Sequence, residues 1–179
     1  MNQNQLFVLS GLIFSILISL VMIFFWVNLY IRIIQVRKMK RDNIFIVNKF
    51  LKLLILILLP ISLILIFIFS ISFATIFLIY KNIIFNYLFQ STFLVYVILI
   101  IFEIIFISIK SNSIEIVKTD DWLILVSELI EIKEISKVEY DFRHKKIFLK
   151  FKDQKNLQRE LKLCYNTKIR EIFNATLRE

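Results

Sequence analysis

Glycine, proline, cysteine and histidine each occur once in this 179-residue sequence, as Gly11, Pro60, Cys164 and His144. A single glycine excludes the Gly-rich loops that cradle phosphates. A single cysteine excludes a disulfide scaffold. Cys164 with His144 is too few ligands for a Cys/His zinc site, so no metal or cofactor is expected. Alanine is nearly as scarce, with two residues, and seven arginines stand against 36 isoleucines. That bias is the coding signature of an AT-rich genome, as in a low-GC bacterium, a mollicute or an organelle. Acidic residues number 14 against 23 basic ones, for a net charge of +9. Apolar residues make up 59% of the chain. Disordered chains are poor in apolar residues, and ordinary soluble domains reach only about 45–50%. The composition therefore indicates a membrane protein.

Three apolar stretches, residues 6–31, 53–80 and 83–109, are each 26 to 28 residues long. About 20 helical residues cross a bilayer core, and lipid cannot satisfy free backbone amides, so helices are required. The only interruptions are Pro60 in the second stretch and Glu103 in the third. The leader before Leu6 has no positive charge, the apolar run is too long for a signal-peptide core and no cleavage pattern follows it, so the first span reads as a retained anchor.

Lys and Arg mark the cytoplasmic side. The basic loop 32–52 carries Arg32, Arg37, Lys38, Lys40, Arg41, Lys49 and Lys52 against Asp42 alone, whereas the connection between spans two and three carries only Lys81. The expected topology puts the N-terminus outside and the basic loop and C-terminal domain in the cytoplasm, in a plasma membrane or else an organellar inner membrane. Within the loop, residues 43–52 mix apolar Ile44–Val47, Phe50 and Leu51 with Lys49 and Lys52. Such a mixture suits the bilayer interface.

The pattern changes at Lys110, dividing a transmembrane domain, 1–110, from a C-terminal domain, 111–179. Apolar residues now alternate with polar ones: Ile114 and Ile116; Trp122 to Val126; Ile130 and Ile132; Val138, Tyr140 and Phe142; Ile147, Leu149 and Phe151; Leu161 and Leu163. Period-two runs predict about six short antiparallel strands. Ile169, Ile172, Phe173 and Leu177 recur at helical spacing, with Asn166 or Thr167 to cap the helix. The fold class is therefore three transmembrane helices plus a small α+β domain.

The order of spans, then "IEIVKTDDWLILVSELIEIKEISKVEYD", then "KKIFLKFKDQ", then a terminal helix resembles small bacterial membrane proteins with a pleckstrin-homology-like domain, the YcxB-like type among them. The resemblance covers residues 113–178 and carries no catalytic motif. It implies a PH-like cytosolic domain of strands and a closing helix. Some proteins of this kind resemble accessory or self-immunity proteins of bacteriocin systems.

Glu103 is the sharpest candidate for chemistry. It lies about 10 Å inside the span at about 1.5 Å per residue from Lys110. A carboxyl there is costly and marks a functional site by default. It can pair with a cation, relay protons or meet a partner helix; the blander account is a protonated group, or one paired with Arg32 or Lys52. Pro60 is expected to kink span two. Gly11, Ser15 and Ser19, four residues apart, form a stripe suited to helix–helix contact. Arg37, Lys38, Lys40 and Arg41 suit anionic headgroups, or simply fix topology. His144 sits in a charged turn with no evident carboxylate partner, and Cys164 reads as a small buried hydrophobe. Asn174-Ala175-Thr176 matches a glycosylation acceptor, which has no meaning on the cytoplasmic side. The mixed charges of the C-terminal domain disfavour nucleic acid.

The leading expectation is a non-enzymatic membrane protein acting by binding, as an accessory or bacteriocin-immunity factor. The alternatives are a structural subunit of a larger membrane complex and a transporter component using Glu103. Expected partners are the lipid bilayer and other membrane subunits or further copies of the chain.

Overall fold

A computed structural model describes residues 3–39, 43–152 and 157–176. Among these residues, three helices are long and apolar enough to cross a membrane. The first, α1, runs Gln3–Lys38. Its 36 residues span about 54 Å at about 1.5 Å each, so it outruns the apolar stretch that seeds it. The second begins as a short α2, Lys49–Leu53, continues through a wide π turn, Leu54–Leu58, and becomes α3, Leu59–Tyr80. Proline cannot donate a backbone hydrogen bond and its ring crowds the carbonyl four residues earlier. The disturbance expected at Pro60 is taken up by that widened turn immediately before it. The third helix, α4, runs Ile83–Lys110.

Hydroxyls within these helices give their protons to backbone carbonyls: Ser15 to Gly11, Ser72 to Ile68, Thr75 to Ile71 and Thr92 to Leu88, all at 2.8–2.9 Å. Small polar side chains are thereby tolerated in an apolar setting. The turn between α3 and α4 is made without glycine. Lys81 adopts a left-handed φ of 53° and donates its N–H to the Phe77 carbonyl at 2.8 Å, while the Asn82 side chain accepts from Ile84 at 3.0 Å.

The chain packs as two compact units, residues 1–28 with 54–106, and residues 29–53 with 107–179. In the first, α4 turns one face inward: Asn86, Phe89, Tyr96, Ile100 and Glu103 are buried at helical spacing. Met22, Leu63, Tyr96 and Ile100 form one cluster, and Val8, Ala74, Phe77 and Phe89 another.

Among the described residues, the second unit holds seven strands in two antiparallel sheets. The first sheet is β1 (Ile44–Val47), β2 (Glu115–Lys118), β3 (Trp122–Leu125) and β4 (Leu129–Glu131). The second is β5 (Ile135–Asp141), β6 (Lys146–Lys152) and β7 (Gln158–Cys164). The six expected strands are present. The seventh, β1, lies in the segment read as interfacial: Ile46 pairs with Ile116 and Val47 with Glu115. The helices α2, α3 and α4 are thus inserted between two neighbouring strands. The C-terminal helix α5, Thr167–Thr176, starts at Asn166, whose side chain accepts the Lys168 N–H at 3.0 Å. The core joins both sheets and the helix through Ile46, Ile116, Leu123, Leu149, Ile169 and Phe173. Leu177, expected on the same helix face, lies outside the described residues.

Candidate functional site

Glu103 is fully buried on the inward face of α4, and neither carboxyl oxygen has a hydrogen-bond partner among the described residues. The Ser62 hydroxyl lies beside the carboxyl, but its proton goes to the Leu59 carbonyl at 2.7 Å. Two turns earlier on the same face, the Tyr96 hydroxyl meets Ser19 of α1 at 2.6 Å. The Ser19 hydroxyl donates to the Ser15 carbonyl at 2.7 Å, so Tyr96 is the donor in that pair. Ser19 and Tyr96 are 77 positions apart in parallel helices. The same offset carries Trp26 of α1 to the level of Glu103. The Trp26 indole N–H is also buried without an acceptor among the described residues. An unanswered donor and an unanswered carboxyl therefore share one level of the helix bundle. Buried polar groups are ordinarily satisfied, and each exception calls for an explanation.

The Gly11, Ser15 and Ser19 stripe faces α4. A Cβ added to Gly11 would lie 2.9 Å from Cζ of Phe89, and Ser15 is buried. Phe89 is itself buried and stacked on Phe93 at 5.9 Å, so it has little freedom to withdraw. Gly11→Leu is expected to cost about 1–3 kcal/mol by overpacking. Thermal melting in detergent is the check, and an unchanged midpoint would mean that the Phe89 ring turns aside freely.

A second cluster was not foreseen. Glu115, fully buried at the start of β2, accepts Nε of Arg37 at 2.8 Å and Nη2 at 2.7 Å, and Nζ of Lys52 lies 3.1 Å away. Arg37 is therefore engaged with a carboxylate and is not a free cation of the expected headgroup patch. Lys38 is exposed at the end of α1. Lys40 and Arg41, the rest of that patch, lie outside the described residues. Lys52 is on Glu115 as well, whereas the sequence offered it to Glu103. The signal for Glu115 was its place inside an otherwise apolar run, Ile114 to Val117.

His144 does have a carboxylate partner: Nδ1 lies 2.7 Å from Asp141, which also accepts the His144 backbone N–H at 3.0 Å. Those two contacts, the backbone one first, hold the Asp141 carboxyl below its ordinary range. On the exposed face of the same sheet, Lys150 and then Lys137 do the same for Glu139. Cys164 is partly buried, and its N–H donates to the Ser113 hydroxyl at 2.8 Å. Among the described residues, no group of three or more His, Cys, Asp or Glu could hold a metal ion.

Compared with known protein families, curated proteins and solved structures, the chain matches none.

Proposed function

We propose that this chain is a non-enzymatic integral membrane protein that acts by binding, as an accessory or self-immunity factor of a bacterial membrane system. The observation that carries the reading is the pairing of three apolar helices with a two-sheet domain closed by an amphipathic helix. A four-stranded and a three-stranded antiparallel sheet, each with its strands in chain order, followed by one helix, fit a pleckstrin-type domain, the kind the sequence resembles. The prominent charged cluster, Arg37, Lys52 and Glu115, has the character of a structural tie, because both cations are spent on one buried carboxylate. The small-residue stripe supports a self-contained bundle over a subunit interface, because its contact with α4 already occupies it.

The test is expression in a susceptible cell followed by challenge with the cognate agent. Survival is expected to rise, and unchanged sensitivity would count against immunity. The basic loop favours a cytoplasmic C-terminal domain. A C-terminal green fluorescent protein fusion in a bacterial plasma membrane is therefore expected to fluoresce, and a dark fusion with an active C-terminal alkaline phosphatase fusion would reverse the topology. A second reading, a transporter component, draws on the unpartnered Glu103. It predicts that Glu103→Gln changes ion or proton flux in reconstituted vesicles, and unchanged flux would remove it.

A further inference from the structure

We propose that the turn between β5 and β6, Phe142–Lys145, together with Lys146, Lys168 and Arg170, is a contact surface for the anionic headgroups of the bilayer. It rests on the membrane-spanning reading above. The argument begins with placement. Lys146, the first residue of β6, pairs with Cys164, the last residue of β7. The Cys164 N–H donates to Ser113 at 2.8 Å, and Nζ of Lys110 lies 3.4 Å from the Cys164 sulfur. Lys110 ends the third apolar helix and Ser113 follows three residues later. The next residue, Tyr165, donates its N–H to the Lys145 carbonyl at 2.9 Å. The turn is therefore tied to the end of the sheet where α4 leaves its apolar stretch, which is where headgroups would lie. Paired strands are only about 5 Å apart, and charges act over about 8 Å at physiological salt.

The chemistry of the turn fits that position. Phe142 is 57% exposed, although it is large and apolar. Arg143, Lys145, Lys168 and Arg170 are all exposed, and Lys146 is half-buried. Aromatic rings with neighbouring cations are the usual equipment of a protein surface seated at a bilayer interface. Of the acidic residues nearby, Asp141 is held by His144 at 2.7 Å, leaving Glu171 on the exposed side of α5.

The turn is also held in one shape. Phe142 stacks on Tyr140 at 6.1 Å and meets Tyr165 edge-on at 5.6 Å. The Arg170 guanidinium lies 5.2 Å from the Phe142 ring centre. Lys145 closes the turn with a left-handed φ of 51°. A preformed surface loses little conformational freedom on binding.

The experiment uses the full chain in vesicles with one tryptophan. Trp26→Phe and Trp122→Phe with Phe142→Trp leave a reporter at the turn. A companion carrying Trp26→Phe alone keeps native Trp122, at the end of β3 remote from the Ser127–Asn112 contact. Both are incorporated into phosphatidylcholine with or without about one-third phosphatidylglycerol, with a spin label on the lipid headgroup. In the anionic vesicles, emission at position 142 is expected to shift to the blue and to be quenched at least twofold more than at position 122. Arg143→Gln with Lys145→Gln and Lys146→Gln is expected to bring the quenching down to the level at 122, with the circular dichroism spectrum unchanged. Equal quenching at 142 and 122 overturns the proposal. Quenching at 142 that persists without anionic lipid, or in the glutamine variant, overturns headgroup recognition. A chain that fails to float with the vesicles overturns the membrane reading and this proposal together.

Discussion

Glu115→Ala is expected to lower the thermal midpoint by about 6–20 °C. Removing one member of a buried ion pair costs about 3–5 kcal/mol, and 1 kcal/mol moves the midpoint of a chain of this size by about 2–4 °C. The reason is what remains after truncation. Glu115 is fully buried, and it faces both Arg37 and Lys52 within 3.1 Å. Without it two cations face each other beside an apolar strand. The low end of the range is the better expectation, because the Arg37 and Lys52 side chains keep 38% and 31% of their exposure and water screens part of the repulsion. The whole set should nevertheless be replaceable. Arg37→Met and Lys52→Met with Glu115→Leu is expected to restore most of the midpoint, since well-packed apolar groups commonly match a buried ion pair. Differential scanning calorimetry in detergent distinguishes the cases. A single Glu115→Ala variant within about 1 °C of the parent, less than 1 kcal/mol would produce, would show that the carboxylate is not the tie between β2, α1 and α2.

That tie marks where the sequence stopped being legible. The three apolar helices could be read because each announces itself locally, by length and by the absence of charge. The strands β2 to β7 could be read because alternation is also local, as at Ile147, Leu149 and Phe151. β1 could not. Its four residues, Ile44–Val47, are all apolar and carry no period, and its partner Glu115–Lys118 lies beyond two apolar helices. A short apolar run beside lysines has the same appearance at a bilayer surface as on a sheet edge. The same long-range pairing hid the role of Glu115, whose cations come from before the inserted helices. Composition sets the domain boundary at Lys110, whereas packing joins residues 29–53 to the C-terminal sheets; β1 is the reason. Turns were illegible for a different cause. With one glycine in the chain, Lys81 and Lys145 take the left-handed positions, at φ 53° and 51°, and nothing in a lysine announces that. The Asp141–His144 contact is local, three residues apart, and was legible in principle as a side chain capping its own turn.

Glu103→Met is expected to raise the thermal midpoint while impairing function. A buried polar group without a hydrogen bond costs about 1–3 kcal/mol, which corresponds to about 2–12 °C for a chain of this size. Both oxygens of Glu103 are in that state, and the Ser62 hydroxyl, whose own proton is given to Leu59 at 2.7 Å, can serve the carboxyl only as an acceptor of its proton. Methionine has a similar length, fits between Ile100 and Ile107 on the same helix face and leaves no orphaned acceptor. Stability gained by deleting a polar group, together with activity lost, is the pattern expected where a site is kept at the expense of the fold. The readouts are calorimetry in detergent, protection in the challenge assay and flux in vesicles. Glu103→Gln separates shape from chemistry: it retains the volume and hydrogen-bonding capacity but not the exchangeable carboxyl proton, so function lost in both variants assigns the role to that proton. A lower midpoint for Glu103→Met would place Glu103 among the structural ties, alongside Glu115. Full function in both variants would leave the carboxyl without a role in this bundle.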